Sequence, residues 1–327
     1  MDWEWSDRLE EADWIASRQP PDVPVSTIPT GYAAYARLLH PIEPGTATSA
    51  SSQVRWADVA AWGGTRLGTR TQFWQLALPE QLPAEPIPGG DAAASDTLGV
   101  RDGQALAGLL RAHTDTAQQC WFGIWSGYGW HRAAPVPYGD PVESPPQLSD
   151  PVPAAVRAGP MVRLPGRDYL LYAGPVEAGL FLPDARELAD LWWPQDRAWF
   201  VYGDVDLNST YVAGTDGLID ELLASTELEA VRVDPEDPVA TWPGEFPVWL
   251  EDRVEAAISR LLEGQHAELH TSRFTATMRL AREHTGWWFS YRCDGPSRAR
   301  GGNLLGETDL ADGLRRAMTW LVADQVE

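Results

Sequence analysis

Hydrophobic and polar positions recur along this chain with two periods, and the switches between them outline its elements. Leu106, Leu109 and Leu110, at helical spacing, predict a helix over residues 104–114. Trp249, Val254, Ile258 and Leu261 do the same over 248–262, as do Leu310, Leu314, Met318 and Leu321 over 309–322. Residues 32–39 share that spacing and stop at His40-Pro41, so a helix is expected there too. A shorter one spans 56–62, closed by Gly63-Gly64. In 268–280 alternation takes over: His270, Phe274, Ala276 and Met278 oppose Thr271, Arg273, Thr275 and Arg279, which predicts a strand with 287–291 as hairpin partner. The runs 120–125 and 169–172 read as short buried strands. Residues 2–17 are acidic and helix-compatible and stop before Pro20-Pro21, as a docked arm would, while 78–103 and 134–160 read as loops.

The pattern is densest in 191–214, where Trp192-Trp193-Pro194 and Asp196-Arg197 lead into a β-rich run. Residues 199–205 read as a strand, which would place Asp204 and Asp206 on one face at its end. Thr215 is suited to cap a following helix with acid in its first turn, and 228–233 reads as another strand. Strand, helix, strand in that order predicts a parallel βαβ unit with a right-handed crossover. The acidic, proline-rich segments 234–238 and 242–247 read as a linker. The expected class is therefore α+β: a mixed sheet with one βαβ unit in a large tryptophan-rich domain, residues 1–240, followed by a small α-β-β-α module, residues 248–327.

Charge narrows the function classes. A net charge of −22 sets a field that repels phosphate backbones and anionic membrane surfaces unless a local patch reverses it, so neither nucleic acid nor membrane is an expected partner. All 25 basic side chains are arginine, which removes Schiff-base, P-loop and kinase-type lysine chemistry. Residues 63–68 carry P-loop glycine spacing, but Thr69 stands where the lysine must be. Cys120 and Cys293 lie far apart in aromatic runs, which points to buried reduced thiols and no disulfide framework. The acidic N-terminus lacks the features of a signal peptide, and no apolar run approaches the ~18–20 residues of a membrane span, so a cytoplasmic location is expected.

Candidate chemistry is sparse. Asp204-Val205-Asp206-Leu207-Asn208 begins like a calcium loop but has Ser209 at the turn glycine and Thr215 at the bidentate glutamate. Asp204, Asp206 and Asn208 could still hold a divalent ion for an enzyme acting on a small phosphorylated or sugar substrate. His266 and His270 would be about 13 Å apart in a strand, too far for one zinc. Gly127 and Gly129 follow a strand, but Arg132 replaces the third glycine of a dinucleotide fingerprint, and no serine has the GxSxG setting. No cofactor is implied. Seventeen tryptophans, many beside charge, are the stronger signal, because aromatic rings and arginine dominate binding hot spots. The candidate partner- or ligand-binding residues are Trp125, Tyr128, Trp192, Trp193, Asp196 and Arg197.

The blocks Phe122 to Gly129, Pro165 to Ala178, Trp192 to Phe200 and Ser209 to Gly214 resemble those of an uncharacterised protein family of high-GC bacteria, over roughly residues 30 to 233. That resemblance implies no activity and no functional residues. The strand 286–291 followed by an amphipathic helix is loosely similar to small modules of bacterial immunity and defence proteins. Taken with the charge and the absence of catalytic signatures, this leads to the expectation of a non-enzymatic, acidic intracellular protein that binds a basic protein partner.

Overall fold

The computed structural model describes residues 4–19, 28–43, 54–90, 93–95, 97–127, 152–180, 188–237, 239–240, 244–283, 286–294, 300–305 and 309–326. In chain order its strands are β1 (Glu4–Trp5), β2 (Ala34–Leu39), β3 (Ile42–Glu43), β4 (Ala93–Ala94), β5 (Cys120–Trp125), β6 (Val162–Leu164), β7 (Arg167–Gly174), β8 (Leu191–Pro194), β9 (Phe200–Tyr202), β10 (Ser209–Gly214), β11 (Ala230–Val233), β12 (Ala267–His270), β13 (Thr275–Glu283), β14 (Gly286–Cys293) and β15 (Arg300–Leu305). Its helices are α1 (Asp13–Ser17), α2 (Trp56–Gly63), α3 (Phe73–Ala77), α4 (Gly99–Ala112), α5 (Ala154–Arg157), α6 (Asp216–Leu223), α7 (Val248–Leu262) and α8 (Leu310–Val326). The class is α+β. Two compact units form, one from Met1–Pro41 with Asp96–Val239 and the other from Ile42–Ser95 with Ala240–Glu327. The second unit thus joins residues 42–95 to the C-terminal module.

The first unit is built on a sheet of order β1-β7-β5-β8-β9-β10-β2-β11, with β6 on β7. Its two faces bury separate apolar clusters. Trp192, Ala36 and Val212 lie with Leu106 and Leu110 of α4 and Leu218 and Leu222 of α6, while Trp193, Tyr35, Phe200 and Tyr211 lie with Trp14 and Ile15 of the N-terminal arm. A strand buried on both faces shows no alternation in its sequence. That corrects the helix expected over 32–39: Ala34–Leu39 is strand β2, every residue of it buried. A continuous apolar run satisfies helical spacing and a buried strand equally well, and only the neighbours decide.

The same strand corrects the expected mixed sheet. Every neighbouring pair is antiparallel, and β2 lies between β10 and β11, pairing with both. Helix α6 therefore links two strands that run the same way with β2 inserted, a split form of the crossover. Thr215 caps α6 by accepting from the Leu218 N–H at 3.2 Å. The strand expected over 199–205 shortens to β9, and the acidic run after it is a turn before β10.

In the second unit β12, β13, β14 and β15 form an antiparallel meander, so the module is α-β-β-β-β-α and not α-β-β-α. The alternation over 268–280 hid a turn, in which Thr271 and Phe274 exchange hydrogen bonds, and β15 has too many glycines to register as a strand in sequence. α7 and α8 pack on one face of this sheet, burying Val254, Ile258, Leu314 and Met318 with Met278 and Phe289. Among the described residues no helix is long and apolar enough to cross a membrane.

Candidate functional site

Strands β8, β9 and β10 carry the stretch 191–214 across the sheet of the first unit three times. The candidate residues consequently separate into two ends and a middle. Trp192 and Trp193 occupy the middle, 0% and 1% exposed, on opposite faces. They are core residues and cannot meet a partner, which corrects their assignment to a binding surface. Adjacent positions in a strand face opposite ways, so a Trp-Trp pair in a central strand feeds two cores at once. Trp192 packs edge-on against Phe122, and Trp193 stacks on Phe200.

Asp196 and Arg197 lie in the turn beyond β8. The Asp196 carboxylate accepts from the Thr114 hydroxyl at 2.8 Å and from the N–H groups of Asp115 and Ala198 at 2.9 and 3.1 Å. Burial alone would push this carboxyl up, but those hydrogen bonds outweigh it and hold the group below its ordinary value. Arg197 adopts the left-handed conformation at φ 56° and places its guanidinium 5.2 Å from the Trp14 ring, with Arg18 at 5.4 Å from the same ring. Asp196 fastens its turn, and Arg197 lies against the N-terminal arm. Nearby, an open groove of about 650 Å3 is lined by Glu4, Arg8, Gln118, Trp121 and Gln195, and the Trp121 indole N–H donates to Gln195 at 2.9 Å.

The opposite end gathers the polar residues of six strand termini. Arg167 at the start of β7 spans both aspartates: its Nε and Nη2 meet the two Asp204 oxygens at 2.6 and 2.5 Å, and Nη2 meets Asp206 at 2.6 Å. Tyr202 donates to Asp204 at 3.2 Å, and the Arg167 guanidinium lies 4.1 Å from the Trp125 ring. Asn208 belongs to a different group. Its Oδ1 accepts from the fully buried Arg37 at 3.2 Å, and Arg37 Nε donates to Ser209 at 2.9 Å. Burial pushes the Arg37 guanidinium down, and Asn208 and Ser209 each supply it with a neutral oxygen acceptor. The structure thus does not assemble Asp204, Asp206 and Asn208 as one ligand set: the Arg167 guanidinium holds the first two, and Asn208 belongs to Arg37. Tyr128 lies outside the described residues.

No family model matches the chain, and no curated protein or solved structure is detectably similar to it. A cavity of about 160 Å3 at this polar end is lined by His40, Thr97, Leu98, Asp190, Asp204 and Thr210. His40 Nε2 is 3.0 Å from the Thr210 hydroxyl, and the Asp190 carboxylate accepts from the Trp125 N–H at 2.7 Å. Arg37, His40, Arg167, Asp190, Asp204 and Asp206 are each held by a neighbour, which makes the end a clasp on the strand termini. Sequence reasoning missed Arg37, His40, Arg167 and Asp190, since polar residues scattered over 150 positions give no motif until the sheet aligns them. The two thiols are poor nucleophiles: burial pushes Cys120 up to about 12 and Cys293 up to about 11.

Proposed function

We propose that the protein acts by binding, inside the cell, a basic protein partner, and that its acidic first unit supplies the attraction. The distribution of charge carries this reading. The first unit holds 29 of the 47 carboxylates and only 12 of the 25 arginines. Several of those arginines are spent internally: Arg37 is buried, Arg167 is locked to Asp204 and Asp206, and Arg111 pairs with Glu177. Along α6 and beside the edge strand β11, Asp216, Asp220, Glu221, Glu227, Asp234 and Glu236 are exposed, with Arg232 reaching Asp220 at 2.5 Å. Such a surface raises the encounter rate with a cationic protein and disfavours acidic competitors. An immunity- or defence-type role, in which an acidic protein neutralises a basic one, fits this chemistry.

Affinity purification of the full chain from its native host tests the idea. Recovery of a stoichiometric basic protein, released by salt and weakened by neutralising Asp216, Asp220 and Glu221, is the expected result. Clean recovery of the chain alone would overturn it.

A further inference from the structure

The four-stranded sheet of the second unit has two unlike faces. One is covered by α7 and α8; the other presents Arg279 of β13, Trp288 and Arg292 of β14 and Arg300 of β15, all exposed. Register places them together. Arg279 pairs with Ser290, Arg292 pairs with Arg300, and Ser290 pairs with Gly302. Like charges set directly opposite in a sheet weaken it, yet Arg292 and Arg300 face each other on neighbouring strands. Among the described residues none of the three arginines has an ion-pair partner.

Trp288 adds a stacking platform. A Cβ on Gly302 would lie 2.6 Å from Trp288 Cζ2, so the indole lies across the strand over the space that glycine leaves, with 37% of the residue exposed. Beside it an open cavity of about 490 Å3 is lined by His266, Thr277, Arg279, Ser290, Arg292 and Asp294. The Asp294 carboxylate is already used, accepting from the Thr275 N–H at 2.8 Å.

Local charge agrees with these placements. On this face Arg279, Arg292 and Arg300 outnumber the carboxylates, Glu268, set opposite Thr277 and 3.3 Å from His270, and Asp294. The net −22 is concentrated in the other unit. At physiological salt, with a screening length of about 8 Å, it is the local charge that a ligand meets. A flat, open sheet face with one exposed ring and flanking arginines is suited to single-stranded nucleic acid, whose bases stack on the ring while phosphates meet the guanidiniums. An acidic protein segment would use the arginines but leave the indole without a flat partner. The geometry points to this face as a binding surface for single-stranded nucleic acid, independent of the partner assigned to the first unit.

The test is fluorescence anisotropy of the full chain with a fluorescein-labelled oligothymidylate across a salt series. Three phosphate contacts give a log–log salt slope of about −2. Trp288→Ala is expected to weaken binding about tenfold and Trp288→Phe to restore most of it. Arg292→Gln and Arg300→Gln are expected to weaken binding while leaving the melting temperature unchanged or higher, since each relieves the opposed pair. Trp320→Ala, on the exposed side of α8, is expected to change nothing. Cross-linking of a 4-thiothymidine-bearing oligonucleotide to the unmodified protein needs no variant, and the adduct is expected on the peptide containing Trp288. No binding at low salt, adducts only elsewhere, or displacement of the oligonucleotide by polyglutamate at equal charge would each overturn the assignment.

Discussion

Arg167 satisfies three demands with one side chain: it neutralises the nearly buried Asp204, reaches the exposed Asp206, and stacks on Trp125. Desolvation pushes its guanidinium down, but the hydrogen bond and charge of Asp204 prevail and raise it. Removing one partner of such a pair leaves the other charged and unpaired, so Arg167→Leu is expected to cost on the order of 3 kcal/mol, measured by urea unfolding. Asp196 gives a prediction with a definite sign. Its folded value lies below the ordinary 3.8, so its contribution is present above that value and lost as pH falls through the folded one. Asn imitates the protonated acid. The melting-temperature difference between the parent and Asp196→Asn is therefore expected at neutral pH and should close as pH falls through the lowered folded value. Asp196 stood out in sequence and Arg167 did not, and the partners that fix them, Thr114 for Asp196 and Asp204 and Asp206 for Arg167, lie 82, 37 and 39 positions away and could not be read without the fold.

At the scale of elements, the strand β8 shows why aromatic richness misled. Leu191–Pro194 is buried throughout, and its two tryptophans serve the two cores of the sheet. Trp192→Ala is expected to destabilise the protein by about 3–5 kcal/mol, a core-residue cost, whereas a surface contact would scarcely register in thermal unfolding. Gly179 tests the same packing from the other side. A Cβ there would lie 2.6 Å from Trp192 Cε2 and 2.8 Å from Phe122 Cε1, two rigid rings, so Gly179→Ala is expected to cost about 1–3 kcal/mol. Amphipathic helices such as α7 were legible because one face stays polar, and its expected bounds, 248–262, match. Strand β2 was not, because burial on both faces erases the alternation that identifies a strand.

For the whole molecule, charge is segregated, with 29 of the 47 carboxylates and 12 of the 25 arginines in the first unit. If the acidic unit steers a basic protein, the association rate should fall steeply between low and physiological salt while the dissociation rate changes little, which stopped-flow measurements can separate. The sequence by itself determined the α+β class, the amphipathic helices, the Thr215 cap, the burial expected for both cysteines, and the lysine chemistries that are excluded. Each of these depends on residue type or on neighbours within a few positions, where covalent spacing fixes geometry. Tertiary structure alone decided that β2 enters between β10 and β11, that the paired tryptophans point inward, that Arg167 closes on two aspartates, and that three arginines share one open sheet face. Those facts depend on which distant segments pair and in what register, and pairing is settled by the simultaneous burial of many side chains, which no local stretch of sequence contains.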